Sequence, residues 1–107
     1  MHLVSEWGYT HYNLRECSGR NELFYGKVNS LRDCRILCTT KQHGSCVSFE
    51  WWGESNSHPT YGANWCQLSS SCTYELSVAA SPSDPADLYV KEGDNYITKI
   101  LVYFIMK

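Results

Sequence analysis

The sequence lacks several features that would point directly to a function. Its 107 residues contain no Asn-x-Ser/Thr glycosylation site and no internal repeat. No apolar run approaches the roughly 20 residues that a membrane-spanning helix needs. The nine Lys and Arg are scattered and the net charge is −2, so we expect no nucleic-acid partner.

The spacing that structural zinc sites show is also missing. Such sites commonly combine two Cys-x-x-Cys pairs, or one cysteine pair with a pair of histidines. Cys34 and Cys38 are separated by three residues with His43 nearby, and the other histidines form no ligand-spaced pair. We therefore expect no metal site and no cofactor. Metal binding by some thiols, in a reducing compartment, is the alternative to disulfide formation.

Six cysteines in so short a chain favour three disulfide bonds. A chain of this length buries only about 60–70% of its unfolded surface, and each disulfide adds about 2–4 kcal/mol of stability. Disulfides persist in oxidising compartments, so we expect a secreted protein or the ectodomain of a membrane protein. The first 15 residues contain no apolar stretch of signal-peptide length. A mature domain, or a piece of a longer exported chain, would reconcile these observations.

The clearest helix signal begins at Ser30. Ser30 and Asp33 form a Ser-x-x-Asp capping arrangement, which predicts a short helix that carries Cys34 and Cys38 on one face. Two further cysteines, Cys46 and Cys66, adjoin strand-like segments, so this spacing would clamp a helix onto a sheet. Strands are predicted at residues 23–28, 46–52, 65–68 and 87–91, with polar loops at 53–64 and 69–86.

Residues 46–52 alternate in the way that is typical of a half-buried strand. The alternation places Phe49 and Trp51 on the core face, and Glu50 and Trp52 on a face that we expect to be solvated. Trp65 is compatible with either a core position or a functional one.

Four motifs between residues 17 and 91 occur in a recognisable order. They are Ser-Leu-x-x-Cys-x-x-x-Cys at 30–38, Cys-x-x-Phe at 46–49, Trp-Cys-x-Leu at 65–68 and Asp-Leu-Tyr-Val-Lys at 87–91. Together they resemble the core of the PAN/apple domain family. The resemblance implies an α+β fold over residues 1–91, in which a small antiparallel sheet cradles one disulfide-stapled α-helix.

The resemblance also implies how the cysteines pair. The pairs carried over from the order of the motifs are Cys34 with Cys66 and Cys38 with Cys46, which leaves Cys17 with Cys72. In PAN/apple domains the outermost pair joins the two ends of the domain. Here Cys72 follows Cys66 by only six residues, so the chain departs from the family pattern at this bridge.

The function implied by the resemblance is that of a non-enzymatic module for recognition or adhesion. Domains of this family occur in extracellular proteins and bind proteins or carbohydrates, and we expect a partner of one of these two kinds. The alternative is a structural spacer of a larger exported protein, with no ligand of its own.

A candidate binding patch lies around the polar loop at 53–64. Aromatic rings stack on the apolar faces of sugars and anchor protein interfaces, and nearby polar groups accept or donate hydrogen bonds. The candidate residues are Trp52, Glu54, Asn56, His58, Tyr61 and Trp65. For an enzyme, only a thiol and histidine pair is worth considering, either Cys46 with His43 or Cys66 with His58. Disulfide bonding of these cysteines is the simpler interpretation.

The tail at residues 92–107 differs in character from the rest of the chain. Positions 100–106 are all apolar and rich in β-branched and aromatic residues, which favours an extra strand. The alternative is the start of a truncated membrane segment, so contact with a membrane is left open.

Overall fold

The computed structural model describes residues 4–5, 8–40 and 45–92, and an antiparallel sheet forms the centre of this part. The elements in chain order are β1 (Val4–Ser5), β2 (Tyr9–Tyr12), β3 (Arg15–Glu16), β4 (Phe24–Lys27), α1 (Leu31–Thr40), β5 (Ser48–Trp52), β6 (Trp65–Ser69), a 3-10 helix (Tyr74–Leu76), β7 (Val78–Ala79) and β8 (Asp87–Lys91). The described residues thus form a small α+β structure, as the sequence predicts.

The main sheet has six strands in the order β1-β2-β8-β5-β6-β4, and every neighbouring pair is antiparallel. Strand β5 lies between β8 and β6 near the middle. A second sheet of two strands joins β3 to β7. The segment predicted as a loop at 69–86 therefore contains both a strand and the 3-10 helix.

The helix α1 covers one face of the main sheet, which we call the helix face. Its start is capped as predicted, because the Asp33 amide donates a hydrogen bond of 3.2 Å to Ser30 Oγ. Cys34 and Cys38 are the buried residues of the helix. Cys34 is bonded to Cys66 on β6, and Cys38 is bonded to Cys46 just before β5. Two covalent links therefore fix the helix to the centre of the sheet.

The core of the helix face is largely aromatic. Phe49 packs edge-on against Tyr9 at 5.2 Å between ring centroids and stacks on Tyr89 at 4.8 Å. Trp51 and Leu68 are buried in the same cluster, which confirms the core position predicted for Trp51. The Tyr9 hydroxyl lies 3.0 Å from the Thr39 hydroxyl, so even the polar end of this ring is tied to the helix.

The opposite face, which we call the loop face, is covered by parts of residues 13–22 and 70–86. A disulfide between Cys17 and Cys72 joins these two segments and packs against Leu88 of β8. Tyr12 and Val90 flank this small cluster. The structure thus contains the two cysteine pairs carried over from the resemblance and the third pair that they leave.

The cover on the loop face overturns the exposure expected for Glu50 and Trp52. Alternation assigned them to the correct face, but only 4% of Glu50 and 2% of Trp52 are exposed. All five residues of β5 are buried. Alternation distinguishes the two faces of a strand, but it does not reveal whether distant segments cover the second face.

The two interpretations of the tail concern residues 92–107, and all of this tail except Glu92 lies outside the described residues. His43 lies outside them as well. Among residues 8–40 and 45–92, no helix has the length and apolar character needed to cross a membrane.

Candidate ligand-binding site

Three rings from the 53–64 loop and the start of β6 form a surface that we call the aromatic platform: His58, Tyr61 and Trp65. Tyr61 stacks on Trp65 with 4.1 Å between centroids and 18° between planes. His58 lies 4.9 Å from Tyr61 and 5.8 Å from Trp65. Three of the six predicted site residues thus contact one another through their rings.

A tight turn brings these rings together. His58 and Gly62 exchange two backbone hydrogen bonds, of 2.9 and 3.0 Å, and Gly62 adopts a φ of +81° that favours glycine. The His58 ring then caps the turn, because its Nδ1 accepts hydrogen bonds from the amides of Thr60 and Tyr61, at 3.0 and 3.2 Å. Hydrogen bonds within the loop therefore hold the part of the platform that His58 and Tyr61 form.

Tyr61 presents the accessible surface of the platform. Half of this residue (50%) is exposed, whereas Trp65 is half-buried beneath it. Trp52 lies opposite Trp65 in the β5–β6 register and contacts His58 edge-on at 4.9 Å. Its buried Nε1 donates a 2.8 Å hydrogen bond to Asp84 Oδ1. Trp52 therefore supports the platform from below, and only 2% of it is exposed.

The two other predicted residues, Asn56 and Glu54, do not join the platform. Asn56 Oδ1 accepts a hydrogen bond from the Gly53 amide at 2.8 Å, and its Nδ2 donates to the carbonyls of Trp51 and Pro85, at 3.3 and 2.8 Å. Through these bonds, Asn56 links the loop to the segment 70–86. Glu54 is exposed, and its side chain makes no ring contact with the platform residues.

A polar pocket of about 150 Å³ lies beside the platform. Its wall includes Trp52 and His58, so the pocket and the platform share a boundary. The polar residues that matter chemically in this wall are Glu16, Glu50, Gln67 and Asp84. Three of them are carboxylic acids, and neither Lys nor Arg contributes to the described wall, so the pocket offers mainly hydrogen-bond acceptors.

A chain of hydrogen bonds connects the pocket to the platform. Trp65 Nε1 donates to Gln67 Oε1 at 2.9 Å, and Gln67 Nε2 donates to Glu50 Oε1 at 3.3 Å. The other carboxylate oxygen, Glu50 Oε2, accepts the Cys17 amide at 3.0 Å. Glu50 thus links the platform to the disulfide-bonded cover of the loop face.

Burial controls the ionisation of Glu50. Loss of hydration is the main cause that raises its pKa from the ordinary value of 4.5 to about 7, and the nearby carboxylates of Glu16 and Asp84 act in the same direction. The hydrogen bonds from Cys17 and Gln67 act in the opposite direction but do not compensate. Glu50 therefore changes charge close to neutral pH.

Sequence reasoning missed the pocket, although part of the signal was present. Alternation places Glu50 and Trp52 on the same face of β5, but their partners come from the strand register, which pairs Glu50 with Gln67. The contribution of Asp84 depends on how the 70–86 segment folds back, and no local pattern shows this.

The thiol chemistry considered for an enzyme has no reactive group in this structure. All six cysteines are in disulfide bonds, so neither Cys46 nor Cys66 carries a thiol. Within the described ranges, no group of three or more His, Cys, Asp or Glu side chains is arranged to hold a metal ion.

These features define a class of protein: a small α+β domain with an antiparallel sheet, one helix in its described part and three disulfides. Three intramolecular bridges in a domain of this size are typical of extracellular proteins. Compared with known proteins, the chain matches no family model, no curated protein and no solved structure.

Proposed function

We propose that the chain is a non-enzymatic, extracellular recognition module of the PAN/apple type, and that it binds a carbohydrate or a protein partner at the aromatic platform. The order of the motifs and the cysteine pairs support the family. The observation that carries the binding role is the exposed Tyr61 ring, stacked on Trp65 beside a pocket rich in acceptors.

A carbohydrate fits this combination better than a protein surface does. A sugar ring has an apolar face, which stacks on an aromatic ring, and hydroxyl groups, which donate hydrogen bonds to carboxylates. Tyr61 supplies the exposed ring, and the acidic groups of the adjoining pocket supply acceptors. The turn held by His58 keeps the ring in place before binding, which reduces the entropy lost when a ligand docks.

The proposal is tested by applying the purified protein to an array of immobilised glycans and then measuring the affinity of the best glycan. We expect Tyr61→Ala to weaken binding by at least about 2 kcal/mol, the usual size of a true anchor, because the exposed ring is lost. The melting temperature should change little, since half of Tyr61 is already in solvent.

Tyr74→Ala is the matched control, because Tyr74 is another exposed tyrosine and lies outside the platform. It should bind the same glycan as well as the unmodified protein does. Full affinity in Tyr61→Ala would place the site elsewhere. Failure to bind any glycan would favour the protein-binding or ligand-free alternatives, and a pull-down with defined extracellular proteins would separate these two.

A further inference from the structure

We infer that Glu50 is a positioning residue for the aromatic platform: its carboxylate holds the Gln67 amide, which holds the Trp65 indole, so loss of the negative charge changes the platform. The inference deepens the proposed function, because it names how binding at the platform is regulated. Its test uses the free protein, so it can fail or succeed whether or not a glycan is found.

The direction of the hydrogen bonds is the basis of this inference. An indole N–H can only donate, so Trp65 requires the oxygen of the Gln67 amide on its side. The Gln67 nitrogen must then face Glu50, and an ionised carboxylate accepts that hydrogen bond at Oε1. At the other oxygen, Glu50 accepts a backbone N–H from Cys17. Each group donates toward Glu50, which is the terminal acceptor.

Protonation of Glu50 is incompatible with this arrangement, in which both hydrogen-bonded neighbours donate to the carboxylate. A neutral carboxyl group carries one O–H donor, and both of its oxygens face N–H donors here. The protonated oxygen has fewer acceptor sites, so its contact with the N–H weakens, and the contact becomes repulsive where the O–H points at that donor. If the proton is on Oε1, the Gln67 amide relieves the conflict by rotating its oxygen toward Glu50. The rotation then turns the Gln67 nitrogen toward Trp65 Nε1, where two donors meet and the bond to the indole is lost.

Burial and the charged groups around Glu50 determine the pH at which this occurs. Glu16 from β3, Asp84 from the 70–86 segment and His58 from the 53–64 loop line the same pocket. Burial is the main cause that raises the pKa of Glu50 to about 7, and the two carboxylates act in the same direction by opposing a third negative charge. Strand β6 presents the uncharged Gln67, and β8 presents the uncharged Leu88 opposite Glu50. The change of state therefore falls near neutral pH.

The test follows the indole N–H resonance of Trp65 by NMR between pH 5 and pH 9, with the signal assigned by the variant Trp65→Phe. We expect this resonance to shift with a midpoint near pH 7. The shift should disappear in Glu50→Gln, because the amide keeps the shape of the neutral acid and does not titrate. Glu54→Gln removes one exposed carboxylate from the 53–64 loop and should leave the shift unchanged.

One further variant and one further signal make the result decisive. If Glu50→Gln does not fold, Gln67→Met interrupts the chain of hydrogen bonds without changing Glu50, and the Trp65 shift should then be lost. The ring resonances of His58 are followed in the same samples, because histidines also titrate in this range. A Trp65 shift that survives in Glu50→Gln or Gln67→Met, whether or not it follows the His58 signals, overturns the inference.

Discussion

A helix covers one face of the main sheet and two connecting segments cover the other, and the two covers enclose different chemistry. Beneath the helix lie Tyr9, Phe49 and Leu68, and two disulfides fix the helix to the strands. Beneath the connecting segments lie Glu50 and Trp52, and the two segments are joined by the disulfide between Cys17 and Cys72 and by the pairing of β3 with β7.

Under the proposed function, the difference separates the face that supplies stability from the face that carries the binding site. The helix face is an apolar core whose burial contributes directly to folding. The loop face buries a carboxyl group, and burying a charge costs free energy unless it is compensated. A site on this face can therefore retain reactive polar groups because the opposite face supplies the stability.

Removal of the bridge between Cys17 and Cys72 should have the largest effect. The bridge joins residues 55 apart in the chain, against a separation of 8 for Cys38 and Cys46. The loop-closure relation then gives about 4 kcal/mol for the long bridge and about 2.5 kcal/mol for the short one. We expect the free energy of unfolding of Cys17→Ser/Cys72→Ser to fall accordingly, as measured by urea denaturation.

The variant Cys38→Ser/Cys46→Ser is the control on the helix face. A larger loss from this pair than from the pair on the loop face would contradict the ranking. The far-ultraviolet signal of the helix should persist in Cys17→Ser/Cys72→Ser under native conditions, since both bridges of the helix face remain.

The next effect concerns Glu50 and the pH dependence of stability. Because the folded-state pKa of about 7 lies above the ordinary 4.5, the folded protein binds the proton more tightly than the unfolded chain does. This contribution to stability is fully present below pH 4.5 and is lost as the pH rises through 7. It amounts to about 3 kcal/mol at one pKa unit per 1.36 kcal/mol.

Glu50→Gln should remove this loss, so that the variant gains stability over the unmodified protein as the pH rises from 5 to 8. Midpoints of urea denaturation at several pH values measure this difference in stability. Glu54→Gln serves as the control, and its pH profile should match that of the unmodified protein. A parallel profile for Glu50→Gln would show that Glu50 titrates normally.

The smallest effect concerns the backbone of the cover. Leu14, in the turn between β2 and β3, has a φ of 52°, which an L-residue with a bulky side chain rarely adopts. Its amide donates to Asp87 Oδ1 at 2.9 Å and its carbonyl accepts the Ala80 amide at 2.9 Å, so the conformation is held from both sides.

Leu14→Asn should stabilise the protein by about 0.5–1 kcal/mol, because asparagine tolerates this conformation at lower cost. Leu76→Asn is matched in exposure, at 47% for both residues. Leu76 lies in the 3-10 helix and has no positive φ, so this change should bring no gain in melting temperature. Equal responses of the two variants would indicate that Leu14 is not strained.

The helix face was more predictable from the sequence than the loop face. The cap at Ser30, the cysteine spacing of the helix and the alternation of β5 are local patterns, and each corresponds to a described element. The cover of the loop face depends on contacts between residues far apart in the chain, such as Cys17 with Glu50 and Trp52 with Asp84. Such contacts leave no periodic signal, so the burial of Glu50 was not foreseen.

Only part of the candidate site could be predicted, namely the part that local sequence assembles. His58, Tyr61 and Trp65 lie close together in sequence, and a single turn suffices to assemble them. Asn56 was assigned to the site by residue type, yet its hydrogen bonds are all directed inward. Residue type indicates what a side chain can do, whereas its partners in the fold determine what it does.

Strand β5 is buried on both faces and bonded to a strand on each side. This position determines how slowly its backbone amides exchange with solvent. Its inner amides are shielded from solvent by both covers, so local opening of either one leaves them protected. Their exchange with deuterated water then requires unfolding of the whole domain, and its rate reports the global free energy of unfolding. Amides in the 53–64 loop lie outside this protection, so the proposed binding at the platform can be followed by their exchange without disturbing the strand beneath it.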